Sequence, residues 1–166
     1  METSIPAAIV AAILMVSAMV LARSGYRSVD EMGQLWKELE ARAAEQARTQ
    51  LAIASVTSSS PYVDVDLRND GSTALTEYDR MDVIVQYVTG SGAPTLVWIP
   101  YTSGPLANNT WIVQGITNDA FEPGILNPGE TLRMRIWLDP PAGGGSTNRL
   151  LVATDLGVTV STTFTG

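Results

Sequence analysis

The chain has no cysteine and no histidine. Those absences remove thiol nucleophiles, disulfides, His-ligated metal sites and every imidazole proton relay. Lysine is nearly missing as well, with Lys37 the single example. Five arginines stand against eleven Asp and Glu after residue 50, so most of the net charge of −7 lies there. An acidic C-terminal part with scattered arginines and no basic patch argues against a nucleic-acid partner. If this part works outside a cell, its stability is reached without disulfides.

Charge is also lacking at the N-terminus. No ionisable side chain occurs from Thr3 to Ala22, and the run Ile5–Ala22 is almost wholly apolar. Its 18 residues are just long enough for a bilayer core. Pro6 falls in a first turn, where a missing N–H does no harm. Three readings compete: a secretory signal peptide, a plain membrane anchor, and a helix that leaves lipid to pack on copies of itself. A signal peptide carries a basic start and a small-residue cleavage site, whereas this chain begins Met1-Glu2-Thr3. The alanines at 7, 8, 11, 12, 18 and 22 suit close helix–helix approach, or simply helix propensity. Burial of the larger apolar side chains of the run would gain roughly 15–30 kcal/mol.

From Tyr26 apolar residues recur every three or four positions: Val29, Met32, Leu35/Trp36, Leu39, Ala43, Ala47 and Leu51. Arg27, Asp30, Glu31, Lys37, Glu38, Arg42, Glu45 and Arg48 fill the opposite face, the pattern of an amphipathic helix. A single helix over residues 4–52 would be about 70–75 Å long, with Gly25 and Gly33 as its weak points.

After Leu51 the period becomes two. In Tyr62–Arg68, Val63, Val65 and Leu67 point inward and Asp64, Asp66 and Arg68 outward; in Thr131–Leu138, Leu132, Met134 and Ile136 face the core and Arg133 and Arg135 face out. Further strands are expected over 51–57, 81–88, 95–99, 110–116, 149–154 and 157–164, separated by turns rich in Gly, Pro and Asn. Seven or eight short strands predict an immunoglobulin-like sandwich.

Little here carries chemistry. Asp64/Asp66 and Asp79/Asp82 suggest Ca²⁺ only weakly, because alternation turns each pair in a strand to solvent and no loop has an EF-hand spacing. Gly143–Gly145 lacks the Lys-Ser/Thr of a phosphate loop and is expected to be a flexible tip. Asn108-Asn109-Thr110 is a sequon, so Asn108 is a possible glycosylation site in an exported domain. No catalytic residue, metal or cofactor is expected, and the chain is read as a non-enzyme.

The whole chain resembles the type IV pilin-like subunits, the archaellins and their accessory pilins above all. The apolar-then-amphipathic N-terminus carries this resemblance, together with the passage from Leu51 to Leu75 and its Asn-Asp-Gly-Ser turn, and the Ile125-Leu-Asn-Pro-Gly-Glu-Thr-Leu132 strand entry. The resemblance implies an α+β chain: a filament-core helix in residues 1–52 and an Ig-like sheath domain in residues 53–166, with the Asn-x-Gly-Ser turn closing the first hairpin. It implies a short basic leader clipped after insertion, and a structural subunit of an extracellular, motile helical filament. Its partners would be identical subunits in an open homopolymer, the membrane before assembly, and an assembly ATPase with its membrane platform. Filament-core packing falls to Ile5, Ile9, Ala12, Ile13, Val16, Val20, Met32, Trp36 and Leu39. Two departures, the acidic start and the long charged stretch 27–48, keep an alternative open: a membrane-anchored accessory protein whose β domain grips a cell-envelope partner.

Overall fold

The computed structural model describes the backbone of residues 4–119 and 121–166, and the side chains of these except 4–9, 11 and 21–31. By its internal contacts the chain divides into two units, Met1–Ala43 and Ala44–Gly166. Helical backbone, α1, is assigned over Ser4–Arg48. Its last turn therefore belongs with the second unit.

The second unit is built from eight strands: β1 (Leu51–Ser59), β2 (Tyr62–Asn69), β3 (Asp82–Val88), β4 (Pro94–Ile99), β5 (Trp111–Thr117), β6 (Thr131–Trp137), β7 (Thr147–Ala153) and β8 (Thr159–Thr165). They form two four-stranded sheets, β1-β2-β6-β5 and β4-β3-β7-β8, with every pairing antiparallel. Lettered in chain order, one sheet is ABED and the other adds a strand to CFG, the immunoglobulin arrangement.

The core follows from the alternation. Val63, Val65 and Leu67 of β2 lie opposite Ile136, Met134 and Leu132 of β6, and all six are buried. Val83, Val85 and Tyr87 of β3 and Leu150 and Val152 of β7 close over them from the other sheet. Trp111 is the largest fully buried side chain and meets Tyr101 at 4.8 Å between ring centroids, the planes inclined by 57°. Leu126, from the loop before β6, is buried against Leu75 through a paired backbone bridge.

The expected α+β class, with one long N-terminal helix as a structural half, is overturned. The helical residues described in full amount to two short stretches, 12–20 and 32–48, and the rest of the architecture is two antiparallel sheets. The chain is mostly β. An α+β fold buries a helical stripe on its sheet, whereas among the described residues this core is drawn from the strands and the segments that join them. The three- and four-residue spacing in the sequence reports a helical face; it does not report helix length or a sheet partner.

Two local expectations also change. The β1–β2 hairpin closes at Ser60–Pro61, between Ser59 and Tyr62, so the Asn69–Ser72 turn does not close it. Gly143–Gly145 is not a free tip: Gly143 N donates to Val88 O at 2.8 Å and Gly145 N to Gly166 O at 3.0 Å. A Cβ on Gly143 would lie 2.7 Å from Thr89 O.

Candidate functional site

The described residues of the helical stretches hold the sequence-predicted packing residues in the open. Ala12, Ile13, Val16 and Val20 are exposed, as are Met32, Trp36 and Leu39. Ile5 and Ile9 fall outside the described side chains. Large apolar groups from Val10 to Val20 show 57–76% of their surface. Exposure on that scale is costly in water and marks a surface made for lipid or protein. Among the described residues no helix is long and apolar enough to cross a membrane. The expected span Ile5–Ala22 lies partly outside the described side chains.

Where the helical backbone enters the β unit, the Asn69–Ser72 turn does unexpected work. The last carbonyls of a helix have no intrahelical donor. Ser72 N donates to Arg48 O at 2.8 Å, while Asp70 N and Gly71 N donate to Gln50 O at 2.8 and 2.9 Å. Asn69, fully buried, holds the turn in shape. Its Oδ1 accepts from Gly71 N, and its Nδ2 donates to Thr73 O and Leu126 O. Thr49, also buried, completes the junction by donating from its hydroxyl and its N–H to Glu45 O. A Cβ on Gly71 would penetrate the backbone of Arg48 and Gln50 and sit 3.1 Å from Thr49 C. Only glycine fits there.

The outer face of the β1-β2-β6-β5 sheet carries a cross-strand charge ladder. Arg135 donates to both carboxylate oxygens of Asp64, at 2.6 and 2.7 Å, and Arg133 donates to Asp66 at 3.2 Å. Ser55 Oγ donates to the other oxygen of Asp66 at 2.8 Å. The Arg135 guanidinium lies 5.5 Å from the Tyr62 ring centroid. With its amide oxygen turned to accept, Gln114 stands 3.1 Å from Arg135 Nε and Nη1. The hydrogen bond to Asp64 raises the pKa of Arg135. Every carboxylate of this groove is matched by an arginine or a hydroxyl. Asp64 and Asp66 are thus committed to Arg and Ser, and Asp82 accepts from Trp98 Nε1. Among the described residues no group of His, Cys, Asp and Glu is assembled to hold a metal ion.

At the end of the sandwich near the junction, Tyr78 donates to Gly124 O at 3.0 Å. Burial pushes its phenol up to about 12; the Leu126 backbone lowers it in part, and the negative charges of Asp119 and Glu130 add to the rise. Asn108 is exposed in the loop before β5, with its amide nitrogen donating to the Asp139 carboxylate.

Sequence reasoning placed the ladder residues on the outer face but missed their pairing, because Asp64 and Arg135 meet only through the β2–β6 register. It also missed the role of Gly71. The signal was present as an Asn-Asp-Gly-Ser turn, but not the carbonyls it would serve.

No family model and no curated protein matches the chain. Solved structures do. The chain is similar to the archaellum periplasmic stator protein FlaG from Sulfolobus acidocaldarius, with 26% identity and TM-score 0.53 over 70% of this chain and 99% of that one. In the stator protein complex FlaF and FlaG from the same organism, the match has 27% identity and TM-score 0.53, covering 70% of this chain and 89% of that one. The archaeal flagellum of Methanospirillum hungatei strain JF1 matches with 16% identity and TM-score 0.61, covering 98% of this chain and 93% of that one, a likeness of fold. The structural neighbours of this chain are archaellum components, in agreement with the archaellin-like resemblance of its sequence, and they are structural proteins of filament and stator.

Proposed function

We propose that the chain is a structural subunit of an archaellum-type extracellular filament, polymerising through its apolar N-terminal segment, with the β-sandwich outermost. One observation carries this reading: the described apolar side chains of the N-terminal helical stretch are exposed and find no partner within their own unit. Lipid shelters such a segment before assembly, and sister segments shelter it afterwards. The packing set is Ile5, Ile9, Ala12, Ile13, Val16, Val20, Met32, Trp36 and Leu39. The subunit passes from membrane to cell-surface filament and needs an assembly ATPase with its membrane platform. Heterologous contacts between copies give open helical symmetry. Asn108, exposed on a loop, is the glycan acceptor of this reading.

A second reading is supported by the stator likenesses, whose identities of 26–27% exceed the 16% of the filament. In it the β domain is held near the membrane and grips an envelope partner. Sheared cell-surface filaments separate the two. The filament reading expects this chain as the dominant protein of the sheared fraction. Recovery of the chain wholly in the membrane pellet, while filaments come off without it, overturns that reading in favour of the anchor.

A further inference from the structure

The β domain carries two exposed apolar features that its own core does not use. The first is a face. On the outside of the β4-β3-β7-β8 sheet, the register sets Ile84 between Trp98 and Leu151, and Gln86 between Leu96 and Arg149. Leu96 is 71% and Trp98 56% exposed. Ile84, Gln86, Leu96, Arg149 and Leu151 line a shallow depression of about 200 Å³. The free side of an antiparallel sheet ordinarily reads polar, so an apolar cluster there marks an interaction surface. Trp98 is held in place, its Nε1 donating to Asp82 at 2.9 Å. Two charges stand on this face: Asp82, whose carboxylate is taken up by Trp98 Nε1, and Arg149, opposite Gln86. Arg68, Arg80, Arg133 and Arg135 each sit in an ion pair, whereas among the described residues Arg149 donates only to Ser161 Oγ, at 3.2 Å.

The second feature is a knob. Phe121, in the loop between β5 and β6, is 69% exposed. Its loop is pinned: Asn127 Nδ2 donates to Phe121 O at 2.6 Å, and Gly124 N donates to the Asp119 carboxylate at 3.0 Å. Asp119 and Glu122 flank the ring in sequence, so the knob is acidic at its base.

We propose that the Phe121 loop of one copy of this chain docks on the Ile84–Leu96–Leu151–Arg149 face of the next. The two features complement each other in polarity and in charge: a ring flanked in sequence by carboxylates meets an apolar depression lined by the Arg149 guanidinium, which has no carboxylate partner among the described residues, while Asp82 lies outside that lining and is held by Trp98. The knob lies between β5 and β6 of one sheet and the face is the outside of the other, and the contact proposed is heterologous. Each copy keeps one free knob and one free face, and the contact repeats along a polymer without closing in pairs. A Phe side chain buries about 150–250 Å², well below the roughly 800 Å² per partner of a standard interface. The contact is therefore weak between free domains and becomes effective when the apolar segments already hold copies together and raise their effective concentration. The identity of the partner as a second copy rests on the filament reading above.

The absence of cysteine makes the test clean. Full-length Gln86→Cys and Pro123→Cys chains, which keep Phe121 and Leu96 and carry their cysteines at exposed positions beside them, are co-expressed, and sheared filaments and detergent-solubilised membranes are treated with a short bis-maleimide. The mixture is expected to give a dimer band that neither variant gives alone, and the Gln86→Cys/Pro123→Cys double variant a ladder; Ser91→Cys in place of Pro123→Cys is the off-site control and is expected to give neither. Phe121→Ser added to the Pro123→Cys partner is expected to cut its capture at position 86 about tenfold, as loss of an aromatic anchor does. Arg149→Glu is expected to weaken capture, and Glu122→Arg on the partner to restore it. Circular-dichroism melts identify any variant that is unfolded, and the charge pair then decides in its place. Filaments without a ladder overturn this contact and leave the polymer reading standing. A ladder in solubilised membranes with no filaments supports the contact and overturns the filament. Absence of both overturns the contact.

Discussion

Replacing Gly71 by alanine tests the junction between the helical backbone and the sandwich. The new Cβ cannot coexist with the backbone of Arg48 and Gln50, so the Asn69–Ser72 turn has to move. Moving it breaks the donations from Asp70 N, Gly71 N and Ser72 N to Gln50 O and Arg48 O. Three hydrogen bonds at about 1 kcal/mol each set the loss near 3 kcal/mol. Alanine restricts the unfolded chain and returns about 0.4–1 kcal/mol, leaving a net destabilisation of about 2–3 kcal/mol. For a β unit of this size that is a fall in Tm of about 6–12 °C.

The measurement is thermal unfolding of the full chain in detergent micelles, followed by circular dichroism at the β-sheet minimum. Gly90→Ala is the control, since nothing lies within 4 Å of a Cβ there and Gly90 has no positive φ. A Gly71→Ala melt within about 2 °C of the Gly90→Ala melt would refute the reasoning. It would mean that the turn yields freely and that its donors are equally well served by water.

Tyr78 gives a pH test with a defined sign. Its folded phenol titrates near about 12, and an unfolded tyrosine near 10. Between those values the unfolded chain has released the proton that the folded chain keeps, so stability falls as pH rises from about 10 to about 12. Tyr78→Phe should flatten that decline in Tm, and an unchanged slope would discard the assignment. For Arg135 and Asp64, whose side chains are 36% and 30% exposed, a double-mutant cycle to alanine should give a coupling of about 0.5–1 kcal/mol that shrinks in 1 M salt; no coupling in urea unfolding at low salt would make the ladder decorative. Ala12→Leu and Ala18→Leu should impair filament formation while leaving membrane insertion intact, as scored by electron microscopy of the cell surface, and normal filaments would remove Ala12 from the packing set and discard close helix–helix approach at Ala18. Gly33→Ala, with open space around its Cβ, should raise helicity by about 0.5–1 kcal/mol of helix stability, and a loss of helical signal would contradict a helix there.

The strands were legible because a half-buried strand writes its partners' side into its own sequence. Val63, Val65 and Leu67, and Leu132, Met134 and Ile136, announce their core face by alternation, and the structure buries all six. The pairing of the two strands is a different kind of information. Nothing local in Tyr62–Asn69 says that Asp64 will meet an arginine 71 positions away; that follows only once the order β1-β2-β6-β5 exists. The helical face was legible by the same logic of periodicity. Its length was not, nor what it packs on, because a 3.6-residue period is indifferent to whether the stripe meets a sheet, a lipid tail or another helix.

The same distinction explains why the exposed apolar groups of the sandwich escaped notice. In sequence, Leu96 and Trp98 look like members of an ordinary strand, and a strand's polarity does not say which of its two faces a sheet will cover. Val97 and Ile99 alternate with them and turn toward the core, with Ile99 fully buried. Leu96 and Trp98 are then left outside by geometry alone. A strand that is apolar on both faces in a sheet covered on only one side has more hydrophobic surface than folding can use. Such a surplus persists in a water-facing domain at a cost in solubility, and a partner is the physical condition under which that cost disappears. The N-terminal segment presents the same surplus on a larger scale, so segment and sandwich face call independently for contacts that a single copy cannot supply.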